Sequence, residues 1–162
     1  MAAIEPARPE DIVAIQQIVA QVFTGYGDYA NMLPKFFSAQ GVSTYTARIG
    51  KDCAGFVMFG FMPWTGGAKN SSRWIADILA IGVQPKRQRQ GIGGALLAKV
   101  VSLSEEMQEW RDLQEIQLTC ARDNQPALAF FRSHGFQVVD AEHGQYAAGQ
   151  AAVRLSRPLP VK

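Results

Sequence analysis

Between Asp77 and Leu97 the chain reads DILAIGVQPKRQRQGIGGALL, and this stretch allows few folds because it demands a strand, a basic glycine-bearing turn and a helix in immediate succession. Ile78 to Val83 is short, apolar and rich in branched side chains, as a buried strand is. Pro85 has no N–H to offer a ladder and ends the strand. Lys86, Arg87 and Arg89 then place positive charge ahead of Gly91, Gly93 and Gly94, and Ile92, Ala95, Leu96 and Val100 recur at helical spacing.

Such a turn favours an anion. Glycines let the backbone turn sharply and approach a ligand, while the first amides of the helix have no intrahelical acceptor and lie at the positive end of its dipole. Two familiar phosphate loops are excluded. Leu96 stands where the dinucleotide pattern G-x-G-x-x-G needs Gly or Ala after Gly91-Ile92-Gly93, and the chain contains no Gly-Lys-Ser/Thr. The bland alternative is a strand-to-helix loop with a solvated basic face.

At 162 residues, with 48% hydrophobic and 19% charged residues, the chain is expected to form one globular domain spanning 1–162. A net charge of +2 is too small to imply nucleic-acid binding by bulk electrostatics. Cys53 and Cys120 lack metal-ligand spacing and partners, so neither a metal site nor a disulfide framework is expected. The N-terminal MAAIEPARPED has no basic region followed by an apolar run, and no apolar segment approaches the ~20 residues of a membrane span. A soluble, cytoplasmic protein is expected.

In chain order, Ala2 to Glu5 suits a short strand, and Arg8-Pro9-Glu10-Asp11 a turn into a helix striped by Ile12, Ile15, Val19 and Val22. Thr24 to Tyr29 breaks that helix, and Asn31 to Ala39 suits a second. Thr44 to Ile49 and Ala54 to Met62 flank a Gly50-Lys51-Asp52 turn as antiparallel strands, and a loop over Pro63 to Arg73 leads to the strand bearing Asp77. A helix from Gly91 to about Trp110, a strand over Ile116 to Cys120, a helix from Asn124 to His134 closed by Gly135, and late strands at Gln137 to Val139 and Ala151 to Leu155 complete the pattern. This order predicts an α/β chain with a mixed sheet and helices on its faces.

Gln88-Arg89-Gln90-Gly91-Ile92-Gly93 resembles motif A of the GNAT acyltransferases, the coenzyme A-dependent N-acetyltransferases: Gln or Arg, two residues, Gly, one residue, Gly or Ala. Asn124-Gln125-Pro126-Ala127-Leu128-Ala129-Phe130-Phe131-Arg132-Ser133-His134-Gly135-Phe136 is similar to the family's motif B at every position but one. Phe131 occupies the place of the tyrosine that protonates the departing thiolate. The resemblance implies the GNAT fold, six to seven strands flanked by about four helices, with acetyl-CoA held by Gln88, Arg89, Gln90, Gly91, Ile92, Gly93, Gly94, Asn124 and Phe131. Asn124 is equally an N-cap, and Phe131 equally a core residue or cofactor wall.

The resemblance further implies transfer to a primary amine of a small molecule or peptide, and a homodimer is compatible with it; the charge and the apolar pattern lead to no expectation of a nucleic-acid or membrane partner. Asp77 lies fourteen residues before Gly91, the spacing at which histone-type members carry a glutamate base. Asp77 shares strand parity with Leu79, Ile81 and Val83, so it is expected on their face, partly desolvated. Pairing with Arg73, or replacement by ordered water, are the alternatives. By the same alignment the Ile81 backbone N–H serves as oxyanion donor, and Val83 pairs with the pantetheine arm where the strands of Ile78 to Val83 and Ile116 to Cys120 splay apart. Ser133, Tyr146, Cys120 or water supplies the thiolate proton. The Thr24 to Tyr29 loop, with Asp28, and the Trp64 to Trp74 segment are expected to admit the acceptor; the alternative is that their tyrosines and tryptophans pack their own loops. An acyl-CoA-binding module that has lost turnover, and a transferase of longer acyl groups, are the competing readings.

Overall fold

The structure is a computed structural model that describes residues 2–23, 25, 29–64, 72–146 and 149–161, with the side chains of residues 29 and 30 excepted. The chain runs β1 (Ala3–Pro6), α1 (Asp11–Val22), α2 (Tyr29–Phe37), β2 (Val42–Ile49), β3 (Asp52–Pro63), β4 (Arg73–Val83), α3 (Ile92–Met107), β5 (Asp112–Ala121), α4 (Gln125–Ser133), β6 (Gln137–Asp140) and β7 (Ala152–Pro158). This is the expected order of elements. The strands form one sheet, β1-β2-β3-β4-β5-β7-β6, antiparallel throughout except between β4 and β5. That parallel pair needs a crossover, and the turn after β4 with α3 supplies it. Among the described residues no helix is long and apolar enough to cross a membrane.

The helices divide the core between two faces. Ile92, Leu96, Leu97 and Val100 of α3 and Leu128 and Phe131 of α4 bury one face against Val57, Phe59, Ile116, Leu118 and Leu155. On the other face Ile15, Ile18 and Val19 of α1 and Leu33 of α2 cover Phe56, Met58 and Ala80. The α3 stripe follows the expected helical spacing, whereas that of α1 centres on Ile15, Ile18 and Val19 and leaves Ile12 outside the core cluster. On this second face α1 and α2 pack on β2, β3 and β4, and beyond them β5 and β7 turn polar residues to it: Gln117, Thr119, Arg154 and Ser156 alternate with Leu118, Val153 and Leu155, which face the other way.

One irregularity in β4 overturns an expectation. Met58 pairs with Ala80 but Phe59 pairs with Ile78, so Leu79 is an unmatched bulge residue. An extra residue reverses the alternation of side chains beyond it. Ala76 and Ile78 before the bulge, and Ile81 and Val83 after it, therefore all pack toward α3 and α4, whereas Leu79 and Ala80 lie toward α1 and α2. Asp77, between Ala76 and Ile78, faces away from Ile81 and Val83, not with them as strict parity predicts. Other boundaries shift modestly: α3 ends at Met107 rather than near Trp110, and β4 and β5 begin earlier, at Arg73 and Asp112.

A buried ion cluster joins the sheet edge to α1. Arg48 donates from Nη2 to Asp11 Oδ1 and Oδ2, both at 2.8 Å, and from Nε to Glu5 Oε1 at 2.7 Å. The Arg8 backbone N–H donates to Asp11 Oδ2 at 2.7 Å, closing the turn that starts α1. Burial alone would raise the Asp11 carboxyl, but the Arg48 and Arg8 hydrogen bonds outweigh it and hold the group below the usual carboxylate range. Arg48→Ala leaves Asp11 buried without its cation and is expected to cost about 3 kcal/mol in denaturant unfolding at pH 7. Because the lowered Asp11 gives its stabilisation above the unfolded pKa and loses it as pH falls through the folded one, the deficit of the variant shrinks on acidification below about pH 4.

Candidate active site

β4 and β5 part company midway. Their parallel register runs Ala76↔Ile116, Asp77↔Gln117, Ile78↔Leu118 and then stops, while β4 stays paired with β3 as far as Val83↔Gly55 and β5 stays paired with β7 as far as Ala121↔Ala152. The result is a V-shaped gap whose β4 edge is Leu79 to Val83 and whose β5 edge is Thr119 to Ala121. Its backbone groups have no strand partner across the gap; Val83 O accepts from Gln88 Nε2 at 3.2 Å and Thr119 O from a side chain, and the rest of the edge can take an extended ligand as a strand would. Ile81 and Val83 lie on this edge.

Asp77 stands one residue before the apex. Among the described residues its carboxylate has no hydrogen bond and no ion pair. Burial pushes it up to about 6, with the Arg154 guanidinium and the His143 ring pulling in the opposite direction. Arg73, the structural partner considered from sequence, instead donates to Glu115 Oε1 at 2.8 Å. Gln117, in register with Asp77 on the same face, is 2% exposed, and its Oε1 has no hydrogen-bond partner among the described residues. Ser156, next in the row, gives its hydroxyl hydrogen to Glu115 Oε2.

A polar array flanks this row. Arg154 Nη2 donates to His143 Nε2 at 3.1 Å, which places the imidazole hydrogen on Nδ1, 3.4 Å from Asp140 Oδ2. Tyr146 donates its hydroxyl to Thr119 O at 3.3 Å, on the β5 edge of the gap. The Gln150 side chain donates to Gly25 O, joining the β6–β7 connection to the α1–α2 connection. None of Gln117, His143 and Arg154 was singled out as a site residue from sequence. The signal for Gln117 was available: a glutamine among Ile116, Leu118 and Cys120 is a polar residue in a buried strand.

The basic turn sits at the open end of the gap. Gln84 N–H donates to Ala54 O at 2.8 Å and Arg87 pairs with Asp52 at 3.5 Å, anchoring its first half to β3. Gln88, Arg89 and Gln90 are exposed, and Lys86 and Arg89 form no ion pair among the described residues. Arg89 and Gly91 have positive φ, 64° and 83°. Gly91 caps α3 with no side-chain bond, and a Cβ added to it would meet nothing within 4 Å. The amides of Ile92, Gly93 and Gly94 therefore head a sixteen-residue helix without intrahelical acceptors. Uncapped amides, an open approach and unpaired cations fit a diphosphate. Gly93 and Gly94 have a second reason to be glycine: a Cβ would lie 3.0 Å from Phe130 Cζ in the first case and 3.0 Å from His134 Nε2 in the second. Close packing of α4 on α3 fixes them, whatever binds at the turn.

Asn124 caps α4, its Oδ1 accepting the Ala127 N–H at 3.3 Å. Phe131 is buried among aromatic rings, 5.3 Å from Phe130 and 5.7 Å from Phe136 by ring centroids. Ser133 donates to Phe130 O at 2.7 Å and so bonds backbone. Cys120 is buried, and burial raises its thiol to about 11. Of the acceptor segments named from sequence, Thr24, Asp28 and most of the stretch from Trp64 to Trp74 lie outside the described residues. Among the described residues no His, Cys, Asp or Glu cluster has the makings of a metal site.

The model of the Acetyltransferase (GNAT) family matches residues 12–136. Mycothiol acetyltransferase of Clavibacter michiganensis subsp. michiganensis is 37% identical over 70 residues, 42% of this chain and 22% of that protein, so the match spans under a quarter of its length. Arabidopsis thaliana NAA60, solved in complex with a bisubstrate analogue, superposes with a TM-score of 0.80 at 16% identity over 99% of this chain and 100% of that one; its complex with acetyl-CoA gives 0.77 at 16% identity over 98% of each. Arabidopsis thaliana Naa50 with the bisubstrate analogue CoA-Ac-MVNAL gives 0.69 at 19% identity, covering 96% of this chain and 97% of that one. The structural likenesses establish the fold.

A carboxyl raised by burial weakens the folded state once pH exceeds its unfolded pKa, because the fold then holds a proton the unfolded chain has released. Asp77→Asn is accordingly expected to stabilise the chain by about 1–2 kcal/mol at pH 7.5, a gain that fades below about pH 4, where Asp77 is protonated in both states. Denaturant unfolding of the two proteins across pH 3.5–7.5 checks this.

Proposed function

This chain belongs to the acetyltransferase (GNAT) family, and from that premise we propose that it transfers the acetyl group of acetyl-CoA to a primary amine of a small molecule or peptide, by direct attack in a ternary complex. The observation that carries the reading is Asp77: a half-buried carboxylate, unpartnered among the described residues, one position from the apex of a gap that opens beside an uncapped helix N-terminus. A carboxylate kept from its partners in a partly dry site is poised to accept a proton near neutral pH. We read the chain as one cytoplasmic domain over 1–162.

In this account the amides of Gly91 to Gly94, with Arg89 and the Gln88 and Gln90 side chains beside them, hold the diphosphate. The β4 edge at Val83 pairs with the pantetheine arm, and Asn124 adds an amide near it. Acetyl-CoA, when bound, supplies the acyl group as an activated thioester. Asp77 takes the proton from the incoming ammonium and leaves the nitrogen lone pair free. The Ile81 backbone N–H donates to the carbonyl oxygen as charge develops there. Phe131 would wall the sulfur end and has no proton to give, so Tyr146 or water would supply the thiolate's proton and regain one from the second hydrogen that the nitrogen sheds as the amide forms. The acetyl-CoA complex of NAA60 and the peptide-bearing analogue bound by Naa50 support this choice of donor and of amine acceptor.

Phe131 also favours a second reading, an acyl-CoA-binding regulatory module without efficient turnover. Free thiol release from acetyl-CoA separates the two. The enzyme reading expects release that depends on an added amine, with kcat/KM rising through about pH 6 and levelling above it. Asp77→Asn is expected to lower kcat/KM by roughly 10²–10⁴ and to abolish that rising limb. An unchanged rate and profile remove Asp77 as the base; tight acetyl-CoA binding with no amine-dependent thiol release identifies the binding module.

A further inference from the structure

Gln117 is 2% exposed and carries an amide oxygen with no partner among the described residues. A buried acceptor without a donor is costly, and proteins seldom keep one without a use. Its position gives the use. Gln117 is the β5 residue in register with Asp77, one pair before β4 and β5 separate. Ile116 and Leu118 on either side pack toward α3 and α4, so Gln117 projects to the opposite face, the one Asp77 also occupies. No near neighbour in the row satisfies it: the Ser156 hydroxyl is committed to Glu115, and Arg73 to the same carboxylate. Two oxygen acceptors thus stand side by side at the apex, each lacking a donor among the described residues.

Resting on the transferase reading above, we infer that Gln117 binds the acceptor substrate, its Oε1 accepting an N–H of the same nitrogen whose proton passes to Asp77. The proton balance defines the ligand class. A primary ammonium, R–NH3+, gives one proton to the Asp77 carboxylate, which becomes the neutral acid, and the resulting R–NH2 keeps two N–H bonds and a lone pair. One N–H goes to Gln117 Oε1 while the lone pair stays free to attack. A hydroxyl that has given up its only proton has no donor left, so Gln117 Oε1 stays buried and unpaired. The pair therefore selects an amine over an alcohol of the same shape, the discrimination expected of a buried acceptor built to meet a donor.

The test uses the whole chain and Gln117→Leu, with Gln117→Glu as the variant that keeps an acceptor oxygen. Thiol release from acetyl-CoA is measured with phenethylamine, putrescine, L-alaninamide and a tripeptide with a free N-terminus, beside acetyl-CoA affinity by calorimetry and thermal unfolding. For the amines that wild type uses, Gln117→Leu is expected to raise KM about tenfold, leave acetyl-CoA affinity within twofold and raise Tm, since a leucine removes the unpaired oxygen; Gln117→Glu keeps KM within a few-fold of wild type. An unchanged KM in Gln117→Leu, or a fall in Tm accompanied by weaker acetyl-CoA binding, overturns the inference and leaves the transferase reading standing. Should wild type release no thiol with any amine, that reading has failed. The thermal shift given by the same amines with coenzyme A present then decides: a shift lost in Gln117→Leu supports amine seating at Gln117, and an equal shift in both proteins, or none in either, refutes it.

Discussion

Everything proposed for this chain depends on the loss of pairing between β4 and β5 beyond Ile78 and Leu118. A sheet normally satisfies its backbone across every strand, and leaving a stretch unpaired is costly unless water or a ligand completes it. Here the two strands keep their outer partners, β3 and β7, so the gap is held open by the rest of the sheet and does not collapse. The bulge at Leu79 lies at the same level. It turns Ile81 and Val83 into the core under α3 while Asp77 remains on the polar face, so one edge offers backbone to a ligand on one side of the apex and a carboxylate on the other.

Much of the fold was legible because the elements carry strong, separate signals. The apolar stripe of α1, the Pro85 stop, the Gly91 start of α3 and the Asn124-to-Gly135 bracketing of α4 each follow from local chemistry, and the order of elements follows from them. The face of Asp77 was not legible. Alternation counts residues, and a bulge is an error of one in that count; nothing in Asp77 to Val83 marks Leu79 as the residue left out of the ladder. The placing of Gln117, His143 and Arg154 beside Asp77 was not legible for a different reason. They meet Asp77 only through strand register and the return of the chain after β6, contacts between residues far apart in sequence.

The glycines of the turn show how two causes coincide at one position. Gly91 needs its positive φ and leaves open space, as a phosphate cradle requires. Gly93 and Gly94 admit α4, through Phe130 and His134, as plain packing requires. Both demands are met in four residues, which is why the spacing is so distinctive. The polar face tells the opposite story. Asp77 and Gln117 are costs to the fold, a raised carboxyl and an unpaired oxygen, and a site that uses them accepts lower stability in return for groups already stripped of competing partners.

The most direct test of this account is amide hydrogen exchange on the whole chain with and without acetyl-CoA. Binding is predicted to slow exchange at the amides of Ile92 to Gly94 and along the β4 edge from Leu79 to Val83, while α1 and the β1–β2 edge stay unchanged. Exchange unaltered at both places under saturating acetyl-CoA, or protection confined to a different face of the sheet, contradicts it.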